Sequence, residues 1–279
     1  MRATKTGKYN KTNSHMKRFT LSNPITIILK WFINTLLLFS ILLFLTTAMI
    51  KSDFLAEQKQ YERVKKAYKE KGQFVAGKLM ENAIQTDELN ILIVVYKEEQ
   101  KLDIYAKNKA ETSYKRISTC DICSSSGQPG PKRRKGDWQV PEGFYYIDRF
   151  NPVSNFFLSL GVNYPNESDR KKTGAGNPGG EIFIHGGCRT IGCIPITDER
   201  IKELYLYAIQ ARQNGQLKIP VYIFPFKMDV RNMNAYKAHY RNNPELLEFW
   251  DNLKRGYDRF EKNHSELRVT VETDGKYSF

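Results

Sequence analysis

From Trp31 to Ile50 the chain runs for twenty residues without a charge. At about 1.5 Å per helical residue such a run reaches ~30 Å, the hydrocarbon thickness of a bilayer. A lone segment in that medium satisfies its own backbone polar groups only as a helix. Residues 31–50 are therefore expected to be a transmembrane segment. Before them stand Arg2, Lys5, Lys8, Lys11, Lys17, Arg18 and Lys30, with no acid. This basic tail, residues 1–30, is expected on the cytoplasmic side. A cleaved signal peptide has a shorter apolar core and a small-residue cleavage site, and Thr47-Ala48 makes a poor one. The expectation is an uncleaved, single-pass anchor in the inner or cytoplasmic membrane, with all that follows Lys51 outside the cytoplasm.

The formal net charge is +14, and half of it lies in that tail. The remainder is mildly basic and carries no nucleic-acid motif, so an anionic envelope surface suits it better than nucleic acid. Residues 51–89 are charged, with spaced apolar positions at Phe54, Leu55, Tyr61, Val64, Tyr68, Phe74, Leu79 and Ile84. They are expected as a helical stalk or a helix packed on the domain, interrupted near Gly72. The main domain, residues 90–226, opens on a hairpin: Ile91 to Tyr96 form one strand, and Leu102, Ile104 and Ala106 alternate with polar residues in the next. Further strands are expected over 114–122, 144–147, 156–160 and 221–224. Residues 163–180 are polar and Gly-rich, as a lid or rim would be. A C-terminal extension, 227–279, holds a helix around Leu246, Leu247, Phe249, Trp250 and Leu253 and a short strand over 267–271.

The chemistry concentrates between Glu181 and Asp198. Ile182, Phe183 and Ile184 read as a short buried strand ending at His185. A loop rich in Gly and Cys follows. Beyond it Thr197 can cap a helix whose apolar residues fall at Ile201, Leu204, Tyr205, Ala208 and Ile209. A thiol needs a base and a favourable field before it attacks, because only the thiolate is nucleophilic. His185 can take the proton of Cys193, and the amides of Gly192 and Cys193 can hold an oxyanion. The two side chains are eight positions apart, and an extended chain of that length reaches at most ~28 Å, so the loop can fold back and join them.

Thr190-Ile-Gly192-Cys193 resembles the Ser-x-Gly-Cys signature of the L,D-transpeptidase (YkuD-like) catalytic domain, and Ile184-His185-Gly186 resembles its Ile-His-Gly. The nearer likeness is to the YafK-like branch, where His and Cys share one short loop. Its segments recur in order as Gly130 to Asp137, Pro141 to Tyr145, Phe224-Pro-Phe226, and Phe249-Trp250 followed by Gly256-Tyr257-Asp258. The resemblance covers roughly Asn90 to the C-terminus. It implies a mostly β, α+β fold of the L,D-transpeptidase sandwich or barrel type, with helices added at both ends. It also implies Cys193 as nucleophile, His185 as base, and peptidoglycan stem peptides as partner. The reaction would be acyl transfer at the carbonyl of a diamino acid, with no metal or organic cofactor. Many members carry Arg two residues after the nucleophile. Here Cys193 is followed by Ile194-Pro195-Ile196, as in the YafK-like branch, whose activity is hydrolytic. A peptidoglycan amidase or L,D-carboxypeptidase is thus the alternative to a cross-linking enzyme. Stem peptides carry carboxylates, which assigns substrate binding to Lys132 and Arg134, and to Thr190 and Arg189 beside the nucleophile.

Four cysteines remain to be placed: Cys120, Cys123, Cys188 and Cys193. An exported chain can form disulfides. With Cys193 free, Cys123 with Cys188 is the preferred pair, because it braces the loop below the nucleophile. Cys120-x2-Cys123 as a redox pair, or with His185 and Cys188 as a tetrahedral zinc set, is the competing use. A non-catalytic peptidoglycan-binding protein is the remaining alternative. No role falls to His15, His239 or His264.

Overall fold

The computed structural model describes residues 28–29, 31–40 and 54–279. The chain divides into two units, Met1–Met49 and Ile50–Phe279. In the first, residues 31–40 are helical. The expected basic tail up to residue 27 and the second half of the expected span, 41–50, lie outside the described residues. Among the described residues no helix is long and apolar enough to cross a membrane.

The second unit is built on one eight-stranded mixed sheet. Its strands are β1 (Leu89–Tyr96), β2 (Lys101–Asn108), β3 (Lys115–Asp121), β4 (Gly143–Asn151), β5 (Ser159–Val162), β6 (Phe183–His185), β7 (Ile194–Pro195) and β8 (Ile219–Phe224). The spatial order is β3-β2-β1-β8-β4-β5-β6-β7. The β1–β8 and β6–β7 pairs are parallel, and the others are antiparallel. Pairing is continuous from β3 to β7, so the α+β fold of L,D-transpeptidase type implied by resemblance is built here on one curled mixed sheet with helices on both faces. A second, two-stranded sheet joins β9 (Thr270–Val271) to β10 (Tyr277–Ser278).

The sequence of β1 explains the layering. Leu89 to Tyr96 is apolar at nearly every position, the pattern of a strand buried on both faces. Ile91, Ile93 and Val95 face one core, and Leu92, Val94 and Tyr96 face another. The first core is closed by α1 (Glu62–Glu81) and α3 (Thr197–Gln213). The second is closed by α4 (Val230–His239) and α5 (Pro244–Asn263), which bring Met233, Trp250, Leu253 and Phe260 against the sheet. A short helix, α2 (Glu167–Thr173), starts at a capping box between Asn166 and Asp169.

Of the two forms expected for the segment after the apolar run, the structure shows the helix packed on the domain and not a free stalk. Val64, Ala67, Val75 and Leu79 are buried against the domain, so α1 is part of its core. Nor does Gly72 interrupt it, because one glycine costs a helix only ~1 kcal/mol and the buried face outweighs that. Residues 163–180 are likewise not a loose lid. They hold α2, and only their last part rims the cleft described below.

Candidate active site

β6 ends at His185, and Cys193 sits one residue before β7. Parallel neighbours usually need a crossover of a dozen or more residues. Here eight positions suffice, because the turn is made of small residues and is tied down. At Gly186 a Cβ would fall 2.4 Å from Asp198 Oδ1 and 2.6 Å from the Phe156 carbonyl oxygen, so only glycine fits. The next amide, Gly187 N–H, donates to Asp198 Oδ1 at 2.8 Å. A disulfide between Cys123 and Cys188 fastens the loop to the chain beyond β3, with Cα atoms 5.5 Å apart. This is the pairing expected from the sequence. Cys193 remains a free, half-buried thiol, and Cys120 a buried one. The zinc set and the Cys120–Cys123 redox pair are thereby overturned, since Cys123 and Cys188 are already bonded to each other.

The register brings His185 and Cys193 to neighbouring strands. Ile184 pairs with Ile194, and both side chains enter the core. One step back, Cys193 comes opposite Phe183. Phe183 and His185 lie on one face of β6, because strand side chains alternate. Cys193 and His185 therefore share a face, one strand and two residues apart, or ~8 Å between Cα atoms.

Each group has a defined environment. The His185 Nδ1 lies 2.5 Å from the Gly186 carbonyl oxygen. That carbonyl can only accept, so Nδ1 carries the proton and Nε2 is left unprotonated. The ring is buried and stacks on Phe156 at 4.4 Å between centroids. Burial lowers the His185 pKa, and the Gly186 hydrogen bond partly opposes it. The ring is neutral at pH 7. The Cys193 Sγ lies 3.5 Å from the Glu181 carbonyl oxygen. Burial pushes the Cys193 thiol up, a backbone hydrogen bond from Phe183 and the charge of Lys132 draw it down, and Glu181 raises it. At rest the thiol and the imidazole are both neutral.

Thr190 and Gly192 shape the turn around the thiol. The Thr190 hydroxyl donates to the Cys193 carbonyl at 2.8 Å and accepts the Gly192 N–H at 3.2 Å. The Thr190 hydroxyl is thus bonded within its own loop, and the Gly192 amide is engaged by it. Gly192 has φ +123°, a region L side chains rarely enter, and its Cβ position lies 3.1 Å from the Gln139 carbonyl oxygen. Its requirement is conformational. Thr197 opens α3 with φ +69°, and its hydroxyl accepts the Arg200 N–H at 3.4 Å, which is the capping expected of it.

Cys193 lines a cleft of about 550 Å³ with Lys132, Lys135, Trp138, Glu181 and Ile191. Lys132 is buried, and its ammonium is held by Asp137 and by the Arg134 carbonyl. It reaches the site as a fixed charge, not as a mobile ligand for carboxylates. Arg134 and Arg189 are exposed and do not line the cleft. Sequence reasoning passed over Asp137. Burial alone would raise its carboxyl, but hydrogen bonds from Lys132 and from the amides of Arg134, Arg133 and Gln139 hold it below the usual range. The signal was present, since an Asp after Gly in a Pro-Gly-rich loop commonly collects backbone amides.

With that geometry in view, comparison with known proteins is direct. The model of the L,D-transpeptidase catalytic domain matches residues 90–223. "Putative L,D-transpeptidase YafK" of Escherichia coli (strain K12) is 36% identical over 189 residues, spanning 67% of this chain and 72% of that one. The chain belongs to the L,D-transpeptidase catalytic-domain family. The L,D-transpeptidase match begins at β1 and ends within β8, so it takes in the whole eight-stranded sheet. Among solved structures, the helical cell shape determining protein Pgp2 of Campylobacter jejuni is 18% identical, with a TM-score of 0.40, over 67% of this chain and 74% of that one. Bd1075 of Bdellovibrio bacteriovorus is 24% identical, with a TM-score of 0.34, over 49% of this chain and 48% of that one.

Proposed function

We propose that the protein is a membrane-anchored cysteine acyl-transfer enzyme acting on peptidoglycan stem peptides. The observation that carries this reading is a free thiol, Cys193, just before β7, next to the parallel strand β6 that ends on a buried imidazole, His185, whose Nδ1 is occupied. Family membership supplies the substrate class.

The steps follow from the protonation states. As Cys193 Sγ attacks the peptide carbonyl, its proton passes to His185 Nε2. The developing oxyanion is met by the Cys193 amide, not by Gly192, whose N–H is held by Thr190. The carbon–nitrogen bond breaks, the proton on His185 goes to the leaving amine, and a thioester remains on Cys193. His185 then deprotonates the acceptor, and Cys193 leaves as the thiol. With an amine acceptor the outcome is a new peptide bond. With water it is hydrolysis.

The hydrolytic reading draws support from the residues after the nucleophile. The second position is Pro195, and Ile194, Pro195 and Ile196 are all buried, so no guanidinium stands where many relatives carry Arg. Anchoring through residues 31–50 rests on the absence of charge there and on the basic tail.

The test is incubation of the full-length protein, purified in detergent, with muropeptides, and a Cys193→Ala control, read by mass spectrometry. Cross-linked dimers or exchanged terminal amino acids mark transpeptidation. Loss of a terminal group with gain of water marks hydrolysis. Identical products from both proteins refute the acyl-transfer reading. Alkaline-carbonate extraction of membranes tests the anchor: release of the protein into the supernatant removes it.

A further inference from the structure

Two apolar side chains stand in the open at the mouth of the cleft. Trp138 is 62% exposed and Ile191 is 76% exposed, and both line the cleft with Cys193. A folded chain gains by burying such groups, roughly 25 cal/mol per Å², so leaving two of them beside a nucleophile runs against the folding drive. Trp138 also has φ +59°, a left-handed backbone that costs a bulky residue on the order of 1–2 kcal/mol. That conformation is held in place. Asp137 accepts the amides of Arg133 at 2.9 Å, Arg134 at 2.8 Å and Gln139 at 3.2 Å, and pairs with Lys132. The chain on either side of Trp138 is therefore clamped, and the indole is turned out into the cleft. Strain held by its surroundings at a site is the pattern of a residue kept for contact with a ligand.

The charges sort in the same way. Of the cleft's charged side chains, Lys132 is committed to Asp137, and Glu181 is paired with Arg149 at 2.9 Å. Lys135 is exposed, and its ammonium has no hydrogen-bond or ion-pair partner among the described residues. Its backbone is fixed by donation to the Asn177 carbonyl at 2.8 Å. The cleft therefore offers a nucleophile, two apolar walls and one free cation.

We infer that this cleft is the subsite for the acyl donor. Trp138 and Ile191 grip the aliphatic arm of the residue whose carbonyl Cys193 attacks, and Lys135 pairs with a carboxylate of the same peptide. Trp138 and Lys135 set specificity. Asp137 is a positioning residue that acts through them. This inference rests on the peptidoglycan reading above and names the contacts by which the donor is chosen.

The experiment measures muropeptide turnover by full-length Trp138→Ala, Trp138→Phe, Lys135→Gln and Lys135→Arg proteins, together with muropeptide binding to each substitution in a Cys193→Ala background. Iodoacetamide labelling of Cys193, read by peptide mapping, reports the thiol independently of the donor. Trp138→Ala and Lys135→Gln are expected to raise KM and Kd about tenfold or more, with kcat changed no more than ~3-fold and labelling rates unchanged. Trp138→Phe and Lys135→Arg are expected to recover most of the loss. Unchanged KM and Kd in Trp138→Ala and Lys135→Gln, with wild-type turnover intact, overturn the subsite and leave the proposed function standing. A parallel fall in the labelling rate also overturns it, because it assigns these residues to loop structure. Failure of the wild-type protein to turn over muropeptides and of Cys193→Ala to bind them removes the peptidoglycan reading, and the subsite with it.

Discussion

Burial acts in opposite directions on the two central side chains, lowering the basicity of His185 and raising the pKa of Cys193. Neither is charged at rest, so in the proposed mechanism proton transfer belongs to the attack and does not precede it. Two pH dependences follow. His185 loses its base form only below its lowered pKa, so the acid limb of kcat/KM should fall below the ordinary histidine value of ~6.5. Iodoacetamide labelling of Cys193 should rise with pH through a midpoint above the ordinary thiol value of ~8.5. A labelling midpoint near neutrality would mean a preformed thiolate–imidazolium pair, contrary to this account. Thr190 offers a further check. Valine would remove the hydroxyl that bonds both the Gly192 amide and the Cys193 carbonyl. Thr190→Val should lose ~1–2 kcal/mol of stability, seen in urea, and lower kcat, whereas Thr190→Ser should keep both. Equal behaviour of the two variants would deny the hydroxyl its part.

At the scale of elements, the C-terminal helix reaches the site through a buried ion pair. Lys97, just after β1, donates to Glu142 at 2.8 Å and to the carbonyls of Gly130, Val140 and Gln128. Glu142 also accepts the Gly130 amide at 2.6 Å and the Trp250 indole N–H at 3.0 Å. One carboxylate thus binds the sheet, the loop that carries Trp138, and α5. All its partners are buried, so no water replaces a lost one. Glu142→Leu leaves the Lys97 ammonium unpaired in the interior and should destabilise by ~3–5 kcal/mol, while Trp250→Phe removes one hydrogen bond and should cost only ~1–3 kcal/mol. Equilibrium unfolding in urea checks the ranking, and equal losses would contradict it. This network explains why the extension over 227–279 belongs with the catalytic domain: α5 supplies a core face and a hydrogen bond that the sheet lacks without it.

For the molecule as a whole, the disulfide is a covalent long-range constraint near the site. Cys123 and Cys188 are 65 residues apart in sequence, and their bond ties the end of β3 to the loop between His185 and Cys193. Closing a loop of that length removes conformational freedom from the unfolded chain. The double variant Cys123→Ser/Cys188→Ser should lose ~2–4 kcal/mol, measured as a lower Tm under non-reducing conditions. An unchanged Tm would mean that the bond contributes nothing to the folded domain. Cys120, buried and pushed up to about 12 mainly by desolvation, should stay unlabelled in the native protein.

The sequence by itself determined the local features. The apolar run of β1, the strand–turn–helix around His185 and Cys193, the cap at Thr197 and the family all rest on residues close together in the chain, where side-chain period and backbone preference act directly. The cysteine pair was also legible, because few partners were available. What only the tertiary structure decided was how those pieces meet. Whether α1 is a stalk or a core wall depends on α3, more than a hundred residues later. Which cation is free depends on Asp137 holding Lys132, and Lys135 and Trp138 stand out only against partners supplied by the fold. The hydroxyl of Thr190 and the amide of Gly192 looked available for a ligand until the turn closed on itself. Hydrogen-bond capacity is a property of residue type, but its occupancy is a property of neighbours, and in this domain the neighbours come from distant parts of the chain.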